Sequence, residues 1–165
     1  MTTPGRIVQV NVSSGGVPKI AVESAVVTPL GLEGDDHRDR RHHGGPDRAV
    51  CLYSMEAIQA LQTEGHTVVP GALGENVTVE GVDWSTVAPG RRLRLGEAVV
   101  VEITRFTTPC LNITASFVDG DYSRVSEKRH PGWSRVYARV LEPGVLRRGD
   151  FVRVLDSTPR APAAP

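Results

Sequence analysis

The chain has 165 residues and a mass of 17.8 kDa, with 39% hydrophobic and 23% charged residues, so it can bury a core and reads as one domain. Its 19 basic and 19 acidic side chains cancel, which excludes a general nucleic-acid or membrane-surface binder. No run reaches a membrane span and no basic-then-apolar signal opens the chain, so a cytoplasmic protein is expected.

Strand-like segments dominate in chain order. Residues 6–12 alternate apolar and polar side chains, 20–27 are rich in β-branched residues, and 49–53 read as a buried strand. Ser54 then offers an N-cap, with Ala57, Ile58 and Leu61 at helical spacing and Gly65 as the stop. Residues 77–79, 91–95, 99–104, 135–141 and 151–155 continue the strand series, with turns expected at Gly96-Glu97, Pro143-Gly144 and Gly149-Asp150. Eight short strands with two or three helices predict a mainly β fold, a closed or nearly closed β-barrel with a few short helices. It would occupy residues 1–156, followed by a disordered tail at 157–165.

Two stretches resist this pattern. Residues 30–48 show no periodicity, and loops of that length in compact domains are usually functional or disordered. Residues 117–133 are polar and carry Arg124, Lys128, Arg129 and His130. Charge is also divided, since residues 1–90 carry 6 basic and 11 acidic groups and residues 91–165 carry 13 and 8. A cleft lined from the second half would attract an anion. Only Lys19 and Lys128 among the basic residues are lysine, and arginine's planar fork suits phosphate or carboxylate, although a GC-rich genome gives the same bias.

Cys51 and Cys110 are expected as free thiols. Cys51 alternates with Val50 and Leu52 inside a strand and reads as core. Cys110 follows Thr108-Pro109, which read as the cap and first position of a helix, placing the sulfur where helix amides favour thiolate. A buried filler is the competing reading. His37, His42 and His43 lie among aspartates, but no HxH or HExxH spacing supports a metal site. A solvated loop, or an anion site with Arg48 and one histidine, is the alternative. Glu75 and Asn76 are either turn residues or face the site, where Asn76 would offer a donor and an acceptor.

The order of segments is distinctive: Gly34-Asp35, His43-Gly44-Gly45-Pro46-Asp47-Arg48-Ala49-Val50, Pro70-Gly71-Ala72-Leu73-Gly74-Glu75-Asn76-Val77-Thr78, Gly96-Glu97-Ala98, Pro109-Cys110 and Tyr137-Ala138-Arg139-Val140-Leu141. It resembles the MOSC domain family, named for the C-terminal domain of molybdenum cofactor sulfurase, and particularly its small stand-alone bacterial members. The resemblance runs from about Gly5 to Leu155. It implies a β-barrel-rich fold and gives Cys110 the place of the family's characteristic cysteine, a molybdenum ligand in the molybdopterin cofactor or a sulfur carrier. Related members reduce N-hydroxylated bases and amidoximes, so the resemblance implies an oxidoreductase with a small-molecule substrate. On that reading Arg48, Arg135 and Arg129 hold anionic cofactor or substrate groups, while His43, Glu75 and Asn76 orient the pterin or relay protons. The chain ends soon after the barrel, so electrons or sulfur are expected from a separate protein. Pyridoxal phosphate would need a Schiff-base lysine, and neither Lys19 nor Lys128 lies in a matched segment. Two other functions stay open: a metal-free sulfur-transfer enzyme using Cys110, and a non-catalytic module that binds a small anion.

Overall fold

Every residue of the segment VCLYS, Val50–Ser54, is buried. Side chains alternate along a strand, so Val50 and Leu52 join one core while Tyr53 joins another, and the segment reads as a continuous apolar run. It is the fifth strand of a computed structural model that describes residues 3–36 and 45–155. The strands are β1 (Gly5–Val12), β2 (Ile20–Val22), β3 (Ser24–Thr28), β4 (Gly31–Leu32), β5 (Val50–Ser54), β6 (Val77–Glu80), β7 (Arg92–Leu95), β8 (Val99–Phe106), β9 (Val136–Glu142), β10 (Gly144–Arg147) and β11 (Phe151–Leu155). One α-helix, α1 (Met55–Thr63), lies between β5 and β6.

Seven strands close a barrel in the order β11-β7-β8-β9-β5-β6-β1, because β1 pairs back onto β11 with Gly5 opposite Val152. Closure removes exposed edges, and β2 adds to the outside of β1. Of the barrel pairs only β5 and β6 run parallel, and a parallel pair needs a crossover, which α1 supplies. Ser54 caps α1 by accepting from the Ala57 amide at 3.1 Å, as its sequence position predicts. Gly65, with φ 97°, takes the left-handed conformation just beyond the helix.

Ile7, Val10, Leu52, Val101 and Val136 fill the barrel. A second core lies outside it, where Ile58 and Leu61 of α1 meet Tyr53, Leu73, Ile113 and Phe117. Burying each large aliphatic side chain contributes roughly 2 kcal/mol. This core holds the polar stretch after β8 in place. That stretch folds as successive 3-10 turns, Leu111–Ser116, Val118–Gly120 and Tyr122–Val125. Arg124 fastens it to α1 through two hydrogen bonds to Glu64, at 2.8 and 2.7 Å, and lies 3.9 Å from the Trp133 ring centre. Tyr53 Oη donates to the Trp133 carbonyl at 2.6 Å.

The mainly β barrel with few short helices is as expected, while four details differ. Residues 20–27 form two strands, since β2 pairs with β1 whereas β3 leaves for a second sheet of order β10-β3-β4. Pro143-Gly144 is no turn. Proline has no amide to continue the ladder, so β9 ends there and the chain crosses into β10. A Cβ on Gly144 would meet that of Ala98 at 2.7 Å, so glycine permits the crossing. Part of the aperiodic stretch 30–48 is regular, as β4 and a 3-10 turn at Pro46–Arg48. Finally, the turn after Pro109 is a 3-10 helix with Cys110 itself at the N-cap, so Thr108 is not the cap and the thiol precedes the first turn. Residues 156–165 lie outside the described residues. No helix among those described is long and apolar enough to cross a membrane.

Candidate functional site

The outward face of β5 forms one wall of a cavity of about 60 Å³. Cys51 lies on this wall, directly opposite Tyr137 of β9 in the strand register. Leu73, Gly74 and Asn76, from the turn leading into β6, form a second side, and Gly16, Val17 and Lys19 a third. Thr108, Cys110 and Asn112 stand at the rim, the first and last exposed and Cys110 half-buried.

Asn76 is fixed by bonds in every direction. Its Oδ1 accepts from the Cys51 amide at 2.9 Å, and its Nδ2 donates to Asp35 Oδ2 at 2.9 Å and to the Asn11 carbonyl at 3.3 Å. Asp35 Oδ1 also accepts from the Ser13 amide at 2.9 Å and from Lys19 Nζ at 2.6 Å. The result is a buried cluster in which one carboxylate gathers three segments remote in sequence. Backbone geometry supports it, because the Lys19 amide donates to the Gly71 carbonyl at 2.9 Å and a Cβ on Gly71, at φ 88°, would collide with the Lys19 carbonyl.

Positive charge dominates the cavity. Arg48 stacks 5.8 Å from the Tyr137 ring centre and Lys19 reaches the lining with its charge paired to Asp35. Arg135, 7% exposed, donates from Nη1 to the Leu73 carbonyl at 2.5 Å, while its Nε meets no partner among the described residues. Burial pushes the Cys51 thiol up to about 12, opposed mainly by Arg135. Burial also pushes the Tyr137 phenol up to about 12, with Cys51 adding to the rise and Arg135 and Arg48 opposing it. Both groups keep their protons at neutral pH.

Cys110, Arg48, Asn76 and Arg135 therefore share one cavity. Glu75 does not line it. Its side chain is fully buried, with Oε2 accepting from Thr78 Oγ1 at 3.1 Å and Oε1 unpartnered among the described residues, and desolvation raises its pKa against the pull of nearby amides, Thr78 and the Arg135 charge. Arg129 is exposed and outside the lining. His43, with His37 and His42, lies outside the described residues. Among the residues described, no three His, Cys, Asp or Glu side chains converge as a metal site.

Sequence reasoning passed over Lys19, Tyr137 and the cavity position of Cys51. The signal for Lys19 was its rarity, one of two lysines, at the end of the Gly- and Pro-containing loop SSGGVPK. Period-2 alternation also implied that Cys51 and Leu52 face opposite sides.

The MOSC domain family profile matches residues 39–153. YflK of Bacillus subtilis is 34% identical over 142 residues, covering 85% of this chain and 63% of YflK. YiiM of Escherichia coli is 32% identical over 134 residues, 78% of this chain and 58% of YiiM. The chain thus spans less than two thirds of either relative's length. A more distant match, 28% identical over 131 residues, covers 76% of this chain and 23% of a Gibberella moniliformis protein named Reductase. The crystal structure of YiiM from Geobacillus stearothermophilus superposes with a TM-score of 0.70 at 25% identity, covering 93% of this chain and 76% of that one.

Proposed function

Because this chain belongs to the MOSC domain family, we propose that its cavity is the active site of a molybdenum-cofactor-dependent oxidoreductase that reduces N-hydroxylated small molecules, with Cys110 as the metal ligand. The observation that carries this reading is the half-buried Cys110 thiol at the rim of a cavity that also holds Arg48 and Arg135.

The donor set fits the cofactor. A single thiolate is a soft ligand for a thiophilic metal, and arginine forks suit the anionic groups the cofactor carries. When bound, the cofactor supplies two-electron redox chemistry. The protein's residues do the rest. Cys110, at the N-cap of Leu111–Ser116, presents its sulfur to the rim, while Arg48 and Arg135 give the cavity the positive potential that draws in and orients anionic groups. Reductive N–O cleavage consumes protons, and Tyr137, which stays protonated at neutral pH, is one of the lining groups that would donate a hydrogen bond to the departing oxygen. Glu75, sealed away, is replaced in that role. Asn76, with its amide bonded to Asp35 and Asn11, holds the wall of the cavity it lines.

Elemental analysis of protein expressed in a cofactor-competent host tests this, with Cys110→Ser alongside. Molybdenum in the parent and a loss of at least fivefold in the variant are expected. Equal molybdenum in both refutes the ligand role. A sulfur adduct on Cys110 without molybdenum, read by intact mass, would instead identify a metal-free sulfur carrier.

A further inference from the structure

The cavity holds a second thiol that the proposed reaction does not use. Cys51, 5% exposed, lies on the β5 wall, while Cys110 at the rim is half-buried with Thr108, Leu111 and Asn112 exposed around it, and both cysteines line the same space. Read as a sphere, a space of about 60 Å³ is about 5 Å across, room for four or five waters. Tyr137 locates the pair a second time, because charge on either sulfur raises its phenol. The two sulfurs are held differently. β5 is buried along its whole length and paired on both sides, by β6 and β9, so Cys51 is fixed in the wall. Cys110 lies between two anchors, the Thr107 amide bonded to the Arg135 carbonyl at 3.0 Å and the buried Ile113, with exposed residues between them. Closing a gap of that width to a sulfur–sulfur bond of about 2 Å takes a shift of a few ångströms, which the exposed rim supplies at less cost than the barrel wall.

We infer that Cys51 is the resolving thiol for an oxidised Cys110, so that a hydroperoxide converts the cavity pair into an intramolecular Cys51–Cys110 disulfide. In the first step the Cys110 sulfur attacks the peroxide: an S–O bond forms, the O–O bond breaks, and the sulfur loses two electrons to become a sulfenic acid while one peroxide oxygen leaves as water. In the second the Cys51 sulfur attacks the Cys110 sulfur: the S–S bond forms, the S–O bond breaks, and the departing hydroxyl takes the Cys51 proton as a second water. Two thiols and one peroxide thus give one disulfide and two waters. Burial, which pushes the Cys51 thiol up to about 12, keeps it from reacting with reagents in solution and leaves it to a partner held against it, so the order of the steps is set. The disulfide keeps Cys110 recoverable by reduction, where a sulfinic acid would not be. The inference concerns the chain without cofactor and does not rest on what Cys110 ligates.

The full chain, made in a host without molybdopterin synthesis and reduced beforehand, is treated at pH 7.5 with about a tenfold excess of hydrogen peroxide. The peroxide is then quenched and the protein unfolded in N-ethylmaleimide for intact mass spectrometry. At least half of the protein should be lighter by about 2 Da and take no label, non-reducing peptide maps should join the two cysteines within one chain, and dithiothreitol should restore both labels. Cys51→Ala should instead carry Cys110 on to the sulfinic acid, about 32 Da heavier and not reversed by dithiothreitol. Cys110→Ser should keep an unoxidised Cys51 that takes label once unfolded. The maps of the parent protein need no variant to fold. Oxidation of the parent that stops at Cys110 and leaves Cys51 open to label overturns the inference, and so does a disulfide found only between two chains. Oxidation of Cys51 in Cys110→Ser overturns the order of steps and the inference with it. Molybdenum content of Cys110→Ser, a separate measurement, reports on the metal-ligand reading independently.

Discussion

Replacing Lys19 by methionine is the sharpest test of how the cavity wall is held. Nζ lies 2.6 Å from Asp35 Oδ1, and the two side chains are 4% and 3% exposed. Methionine keeps the apolar stem and removes the cation. Asp35 keeps the bonds from the Ser13 amide and Asn76 Nδ2, each at 2.9 Å. Removing one partner of a buried pair costs about 3–5 kcal/mol, and the surviving charge-assisted bonds place this case near 3 kcal/mol. Unfolding entropy of about 2.1 cal/mol/K per residue over the 165 residues makes 1 kcal/mol worth about 3 °C, so Tm should fall by about 9 °C. Adding Asp35→Asn removes the stranded charge and should restore at least half of the loss. Urea unfolding at pH 7.5 of the parent, both single variants and the pair gives the coupling directly. A loss of less than about 1 kcal/mol in Lys19→Met, the range of an exposed pair, would refute the reasoning. So would a double variant whose loss equals the sum of the singles.

Three further outcomes follow from the same geometry. At pH 8, iodoacetamide should label the native protein at Cys110 alone and the unfolded protein at both cysteines, because Cys51 is buried with its thiol pushed up to about 12; peptide mapping that finds native Cys51 alkylated contradicts this. Cys51 and Tyr137 both have folded pKa values above their ordinary ones, 9.0 and 10.0, so their contribution to stability is complete below pH 9 and is lost as pH rises toward 12, by about 1.4 kcal/mol per pH unit for Cys51 above pH 9 and for Tyr137 above pH 10. Urea midpoints at pH 8, 10 and 11 should therefore decline with increasing slope, and a flat profile would show that the two groups are solvated. Burial raises Glu75 as well, so its contribution is present at acid pH and lost as pH rises above the ordinary carboxylate range. Glu75→Gln should then stabilise the protein at pH 7.5 and leave it unchanged near pH 4, and destabilisation at pH 7.5 would show that the charged form is the one the fold needs.

The seven barrel strands and α1 were legible in the sequence because their signals are local. Period-2 alternation, the Ser54 cap and the Gly65 stop act over a few residues, and the order of family segments identified the fold class around them. Cys110 was likewise visible, next to Pro109 at the start of a turn. The site was legible only in part. Composition shows seventeen arginines, but not that Arg135 and Arg48 face the cavity while Arg129 lies exposed outside it. Nor could it show that Lys19 meets Asp35, that Asn76 joins β5 to Asp35, or that Glu75 is sealed from the cavity that Asn76, next to it in sequence, lines. Those facts depend on strand register and on which loops barrel closure brings together. Local sequence fixes the conformation available to a segment; which side chains share a desolvated space, and which buried charges meet there, is decided where distant segments come together.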